Sequence, residues 1–237
     1  MIKLINNTYR DLTFAFANEV ALIAERLGLS AGELIHAANA DYLRSGVARP
    51  GFVGGPCLEK DALILISSLH QMDFKPRVIE EARRLNQGLP DQVAARVIGE
   101  VRRLRPGGDG AKVLVTGFAF KGRPATEDVR GSAAIPLMQQ LQKVGFEVWG
   151  HDFVTPEKVV TGLGARACAL EEGFAGADAV VIMNNHQDYL SAGIPLLARS
   201  MRSPGVLFDS WSLFTPGDFS GIAGLRYGAL GRPFEGS

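Results

Sequence analysis

The stretch RPGGDGAKVLVTGF, residues 105–118, is where the period of the sequence changes. RPGGDG (105–110) has the proline and glycine content of a linker. KVLVTGF (112–118) is short, rich in β-branched residues and closed by glycine, so it reads as a strand. FEVWGHD (146–152), ADAVVIMNN (177–185) and GVLFDSW (205–211) repeat that signal. Helical stretches lie between them, among them SAAIPLMQQLQKVG (132–145), ended by a glycine. Strands alternating with helices predict a doubly wound parallel sheet, a Rossmann-like α/β domain over residues 107–237. Its tail, GRPFEGS (231–237), is expected to fray.

Upstream of the linker, residues 1–106 read as helix. Residues 2–27 carry apolar side chains on nearly every face, with no Pro or Gly before Gly28. Such a helix has to be buried, by its own domain or by a second copy. SAGE (30–33) is a capping box that opens a short second helix. Residues 58–72 fit a third helix and residues 76–105 a long fourth, broken near GLP (88–90) by its proline. RRLR (102–105) reads as a solvated helix end. The expected fold class is α/β, an all-helical domain (1–106) followed by the parallel-sheet domain (107–237), with no internal repeat.

The chain has 237 residues, 46% apolar and 21% charged, which is a globular balance. Lys plus Arg equals Asp plus Glu at 25 each, so no net field draws it to nucleic acid or anionic lipid. Two cysteines, Cys57 and Cys168, make no disulfide framework. MIKLINNTYRDL at the N-terminus lacks a signal-peptide pattern, and AVVIM (179–183) is far too short to span a bilayer. A soluble, reduced, cytoplasmic protein is expected.

PGFVGGPCLEKD (50–61) is the segment with chemistry in it. Proline is favoured at the first helical position, which would place Cys57 in a first turn. Free N–H groups and the helix dipole there stabilise a thiolate. Lys60 and Asp61 follow at i+3 and i+4 and would share a face with the thiol. The competing reading is a packed core cysteine, the usual fate of an isolated one. Cys168, in GARACALEE (164–172), has no such neighbours and reads as core. At the start of the first helix Lys3 and Asn7 share a face at i, i+4, with Asn6 and Arg10 nearby. That face is either an exposed helix end or a set of donors for an oxyanion.

Three stretches, KLINNTYRDLTFAFANEV (3–20), PGFVGGPCLEKD (50–61) and GFAFKGRPATEDVRGS (117–132), stand in an order and spacing that resemble the nucleotide-sugar 6-dehydrogenases. This is the UDP-glucose/GDP-mannose dehydrogenase family, and GGPCLEK in place of GGSCFPK points toward its UDP-N-acetylhexosamine branch. The resemblance implies oxidation of a sugar C6 alcohol to a carboxylate with two NAD⁺, through a thiohemiacetal and a thioester on a cysteine. It implies that Cys57 is the nucleophile, that Asp61 helps activate water, and that Lys3 and Asn7 stabilise the oxyanion. Lys60 acquires no firm role. Lys121 matches a lysine that contacts the nucleotide sugar, and Arg130 and Ser132 match the EDVRGS motif, where they shape the loop and cap the next helix. The family also implies a homodimer formed through the long N-terminal helix.

One departure stands beside these matches. The family begins with an NAD-binding Rossmann domain carrying G-x-G-x-x-G, and here the first long helix starts at once. The expectation is that this N-terminal NAD-binding domain is absent, that the chain is the last two-thirds of a dehydrogenase, and that NAD does not bind tightly to it. GLGARA (162–167) has the letters of a dinucleotide turn but no strong strand before it. Asp152, in GHDF, suits a turn. His186, in NNHQDY, suits a loop near the nucleotide, with no metal implied. Trp149 and Trp211 suit core or interface positions. The chain is then expected to bind a nucleotide sugar and to need an N-terminal Rossmann partner for turnover. The alternative is a non-catalytic sugar-binding or dimerisation module.

Overall fold

The structure is a computed structural model that describes residues 1–40, 46–107 and 110–236. By compactness the chain separates into two units, Met1–Leu89 with Gly231–Pro233, and Pro90–Leu230 with Phe234–Ser237. Of the expected linker, Gly108 and Asp109 lie outside the described residues, as does Ser237 of the tail.

The first unit is helical: α1 (Ile2–Arg26), α2 (Ala31–Ala40), α3 (Leu58–His70) and the beginning of α4 (Arg77–Leu104). On α1 the buried side is made of small and polar residues, Thr8, Asp11, Ala15, Ala17, Asn18, Ala21 and Ala24. Small side chains let neighbouring backbone come close, while Ile2, Ile5, Tyr9, Phe16 and Ile23 stay exposed. The Ser30 hydroxyl accepts the Glu33 N–H at 3.4 Å at the start of α2. Residues 231–233 are strapped to this unit, with the Gly231 N–H donating to Glu25 Oε1 at 2.6 Å and its carbonyl accepting from the Ala31 N–H.

The expected break near residues 88–90 does not occur. Helix α4 runs through Pro90 without interruption. A proline inside a helix costs about 3 kcal/mol through its missing N–H and the clash with the preceding turn. Burial of Leu89 before it, and of Val93, Ala94 and Val97 after it, offsets that cost. The RRLR end is solvated only in part, because Arg105 forms an ion pair with the buried carboxylate of Asp178.

The second unit alternates strand and helix through β1 (Lys112–Thr116), α5 (Ala134–Lys143), β2 (Glu147–His151), α6 (Glu157–Gly162), β3 (Arg166–Ala167), α7 (Leu170–Phe174), β4 (Ala179–Ile182), α8 (Ile194–Leu197), β5 (Gly205–Asp209), β6 (Leu225–Ala229) and β7 (Arg232–Glu235). The seven-stranded sheet has the order β3-β2-β1-β4-β5-β6-β7. The pairings from β3 through β6 are parallel, with Leu114 of β1 level with Trp149 of β2 and Val180 of β4. All residues of β4 and β5 are buried, as parallel strands covered on both faces require. One core layer holds Leu114, Val180, Ile182, Leu207, Phe174 and Tyr189. Trp149 belongs to that core, and Cys168 is buried as expected. The tail does not fray through residue 235. Phe234 packs against Phe208 at 5.8 Å, and the Arg226 guanidinium donates to the carbonyls of Phe234 and Gly236.

Candidate active site

In the first unit, α1 and α3 bring together three of the expected site residues. Asn7 Nδ2 donates to Asp61 Oδ2 at 2.6 Å, and Lys3 Nζ stands 3.5 Å from the same oxygen. Asp61 is buried, whereas Lys3 is 71% exposed. The amide of Asn7 holds the Asp61 carboxyl below the usual carboxylate range, against the opposing effect of burial, and Lys3 adds to the lowering. Asp61 is therefore an ionised acceptor held between a neutral donor and a cation.

Cys57 is not in the first turn of α3 but at its N-cap, with Pro56 before it. Its carbonyl accepts the Asp61 N–H at 2.9 Å, so the two residues stand one turn apart on the same helix start. Cys57 is exposed and Cys168 is buried. Burial pushes the Cys168 thiol up to about 11, which leaves it inert as a nucleophile. Of Lys60 and Asp61, both expected on the face of the thiol, Lys60 is exposed like Cys57, whereas Asp61 is buried.

Sequence reasoning did not single out four further polar residues of this unit. Asp11, Asn18, Arg83 and Asn86 are buried and joined to one another and to Gly51 by hydrogen bonds. A signal was present. Asp11 and Asn18 continue the helical stripe of Lys3 and Asn7, and charged or amide side chains on an otherwise apolar helix call for partners.

In the second unit the strand order reverses between β1 and β4, the switch point where open α/β sheets bind ligands at the carboxyl ends of their strands. The loops leaving those two strands interlock there. Gly117 has φ +96°, and a Cβ on it would lie 2.7 Å from the Asn184 nitrogen. At Gly122 a Cβ would lie 2.0 Å from the His186 nitrogen, while the Gly122 N–H donates to Asn185 Oδ1 at 3.0 Å. Asp152 takes its turn role, accepting the N–H groups of Ala119, Val154 and Thr155. His186 is buried, its ring stacked on Phe153 at 5.2 Å and its Nδ1 accepting the Asp188 N–H. Trp211 is half-buried and donates to the Met183 carbonyl.

Lys121 sits on this loop cluster, half-buried, its ammonium 5.2 Å from the Phe120 ring. Arg130 is exposed and chelates Asp128 through Nε and Nη2, the shortest contact 2.7 Å. That guanidinium lowers Asp128 to about 2. Ser132 accepts the Ala134 N–H at 3.2 Å and so caps the approach to α5.

Neither glycine-rich stretch fits a dinucleotide. GLGARA covers the end of α6, a turn and β3, so its glycines follow a helix and do not open one. The loop after β1 has a glycine, but its open side is filled by Asn184. Among the described residues, no group of three or more His, Cys, Asp or Glu is placed to hold a metal ion. Among them also, no helix is long and apolar enough to cross a membrane.

Comparison with known proteins agrees with these two units. Residues 1–88 match the central domain of the UDP-glucose/GDP-mannose dehydrogenase family, and residues 114–216 match its UDP binding domain. The chain is 30% identical to UDP-glucose 6-dehydrogenase of Rhizobium meliloti, over 98% of this chain and 53% of that protein. It is 34% identical to UDP-N-acetyl-D-mannosamine dehydrogenase of Pyrococcus horikoshii, over 85% and 45%. Among solved structures, NDP-N-acetyl-D-galactosaminuronic acid dehydrogenase of Methanosarcina mazei superposes with a TM-score of 0.82 at 26% identity, over 98% of this chain and 50% of the other. The chain thus spans about half the length of the curated relatives it matches, less than the expected two-thirds. With matches to both of its units, this chain belongs to the UDP-glucose/GDP-mannose dehydrogenase family, through that family's central and UDP-binding domains.

Proposed function

We propose that this chain supplies the thiol-bearing and nucleotide-sugar-binding parts of a UDP-sugar 6-dehydrogenase. The observation that carries the reading is the convergence of Lys3 and Asn7 on Asp61, one turn from the exposed Cys57 at the start of α3. In the proposed division of labour, residues 1–106 form the helical, dimerising domain with the thiol, and residues 107–237 bind the nucleotide sugar through Lys121 and Arg130.

The chemistry follows from the groups present. The Cys57 sulfur adds to the C6 aldehyde of the sugar, and the carbonyl electron pair becomes an alkoxide. Lys3 and Asn7 donate to that oxygen, so the thiohemiacetal forms without a free charge. After oxidation to the thioester, Asp61 takes a proton from water as it attacks the same carbon. The tetrahedral intermediate expels the thiolate, leaving the carboxylate and the original sulfur. The two hydrides are the business of NAD, whose carrier in this reading is a Rossmann partner on the N-terminal side. These residues then supply the sugar-binding and thiol chemistry, and turnover requires an NAD-binding Rossmann unit, whether on the same polypeptide or on another.

The exposed residues Ile2, Tyr9, Phe16 and Ile23 recur every seven positions on α1, with Ile5 between them. A heptad stripe of this kind supports pairing of α1 with a second copy, the homodimer of the proposal. A cytoplasmic setting goes with a functional free thiol.

The test measures two things on the purified chain. Alkylation of Cys57 near neutral pH should be slowed by a UDP-sugar, and absorbance at the nicotinamide band should stay flat when UDP-sugar and NAD⁺ are added together. A thiol indifferent to UDP-sugars favours the non-catalytic module. Steady NADH production by the chain without a second polypeptide overturns the need for a partner.

A further inference from the structure

Among the buried side chains that the proposed chemistry does not use, Asp11, Asn18, Arg83 and Asn86 form one continuous chain of hydrogen bonds. Arg83 Nη1 donates to Asp11 Oδ1 at 2.9 Å. Asn86 Nδ2 donates to the same oxygen at 2.7 Å and to the Asp11 carbonyl at 2.9 Å. Asn18 Nδ2 donates to Asn86 Oδ1 at 2.9 Å and to the Gly51 carbonyl at 3.0 Å. The Gly51 N–H closes the chain on Asn18 Oδ1 at 2.8 Å. Gly51 is itself buried, and from it the backbone runs through the buried Phe52 and Val53 to Cys57.

The amide at position 18 meets both polar groups of Gly51 and still has a hydrogen for Asn86. No other side chain of that length offers two donors and an acceptor together, since aspartate has no donor and leucine has neither. Position 86 repeats the arrangement, with two hydrogens given to Asp11 and the oxygen given to Asn18. The run of donors ends on the Asp11 carboxylate, which is fixed in turn by Arg83, and linked bonds of this kind align one another. Asp11 lies one helical turn beyond Asn7, and Asn18 about two turns further. One stripe of α1 therefore meets Asp61 of α3 at its start and Gly51 further along.

We propose that Asn18 and Asn86, aligned by Asp11, are positioning residues that hold the Gly51 end of the Cys57 segment in register with Lys3 and Asn7. The proposal rests on the reading of Cys57 as the nucleophile. Burial alone gives a stability role, in which the network keeps α1 and α4 together and leaves the thiol indifferent to it. The positioning role makes a sharper claim, because Gly51 is held at both its N–H and its carbonyl, and Cys57 lies on the same stretch of backbone.

The experiment uses the full chain, the near-isosteric variant Asn18→Leu, and Ile35→Ala on α2 as a control that removes buried apolar surface from the same unit and no hydrogen bond of the network. Cys57 is labelled with iodoacetamide, with and without UDP-glucose and UDP-N-acetylglucosamine, and hydrogen exchange is followed at the Gly51 amide. Asn18→Leu should change the labelling rate about tenfold and raise the sugar concentration for half-protection by a similar factor, with Ile35→Ala within twofold of the parent. Equal behaviour of the two variants overturns the positioning role. In the parent, Gly51 should exchange among the slowest amides of the first unit, and exchange at the rate of exposed loops overturns the proposal even if Asn18→Leu fails to fold. Absence of sugar protection in the parent sinks the functional reading instead, while the labelling-rate and exchange arms still decide the role of the network.

Discussion

Asn7 and Asp61 meet at 2.6 Å although 54 residues separate them, and that bond ties α1 to α3 one turn beyond Cys57. Because the Asn7 amide is the main cause of the lowered Asp61 carboxyl, Asn7→Ala should raise the Asp61 midpoint more than Lys3→Met does. A carboxyl depressed on folding stabilises the protein above its unfolded value, and that contribution is lost as pH falls through the folded value. Both variants should therefore show less acid-dependent loss of stability than the parent. Side-chain carboxyl NMR across an acid titration measures the midpoints, and a larger shift in Lys3→Met contradicts the assignment.

The two thiols should separate cleanly in a reaction with a disulfide reagent near pH 8. Cys57 is exposed, and Cys168 is buried with its thiol pushed up to about 11. One equivalent should react in the native state and the second only on unfolding. Cys57→Ser should abolish the fast phase and Cys168→Ser should leave it unchanged.

Asp209 ends β5 with no solvent exposure, accepting the N–H groups of Trp211 and Phe214 and the Tyr227 hydroxyl. Burial outweighs those donors and pushes its carboxyl up to about 6 from 3.8. A raised folded value means that stability is greatest below the unfolded value and falls as pH rises through the folded one. At 1.36 kcal/mol per unit, the contribution is about 3 kcal/mol, lost between roughly pH 4 and 6. The stability of the parent relative to Asp209→Asn should fall by that order across the window. Urea denaturation at several pH values reads it, and a flat difference rules it out.

Gly122 leaves no room for a side chain, since a Cβ would lie 2.0 Å from the His186 backbone nitrogen. Gly122→Ala must push the loop that carries Lys121 away from the loop after β4. Calorimetry with UDP should show about a tenfold loss of affinity, equivalent to about 1.4 kcal/mol. A mutation at Gly162, where a Cβ meets nothing within 4 Å, should have no effect.

The stripe on α1 makes a prediction about assembly. Phe16→Glu places a charge on an exposed apolar line that also holds Tyr9 and Ile23. If that line pairs with a second copy, the variant should be a monomer by light scattering at concentrations where the parent is a dimer. Identical masses for the two would dismiss pairing through α1.

Much of this protein could be read along the chain. Strand and helix periods, glycine stops and the thiol segment are local properties, set by residues a few positions apart. They were enough to separate the helical part from the parallel sheet, whereas grouping Lys3, Asn7, Cys57 and Asp61 came from the family resemblance, since the local pattern left a core cysteine and an exposed helix end open. Local pattern misjudged Pro90, because the packing that carries α4 through it comes from elsewhere in the fold. It also misjudged the tail, since a strand at a sheet edge takes its hydrogen bonds from distant partners such as Arg226. For the Asp11, Asn18, Arg83 and Asn86 network the polar stripe of α1 gave a signal, but the partners of that stripe lay beyond the reach of local pattern for the same reason. Buried polar groups are bought only where partners from α1, α4 and the Gly51 segment arrive together, and only the tertiary structure decides who arrives.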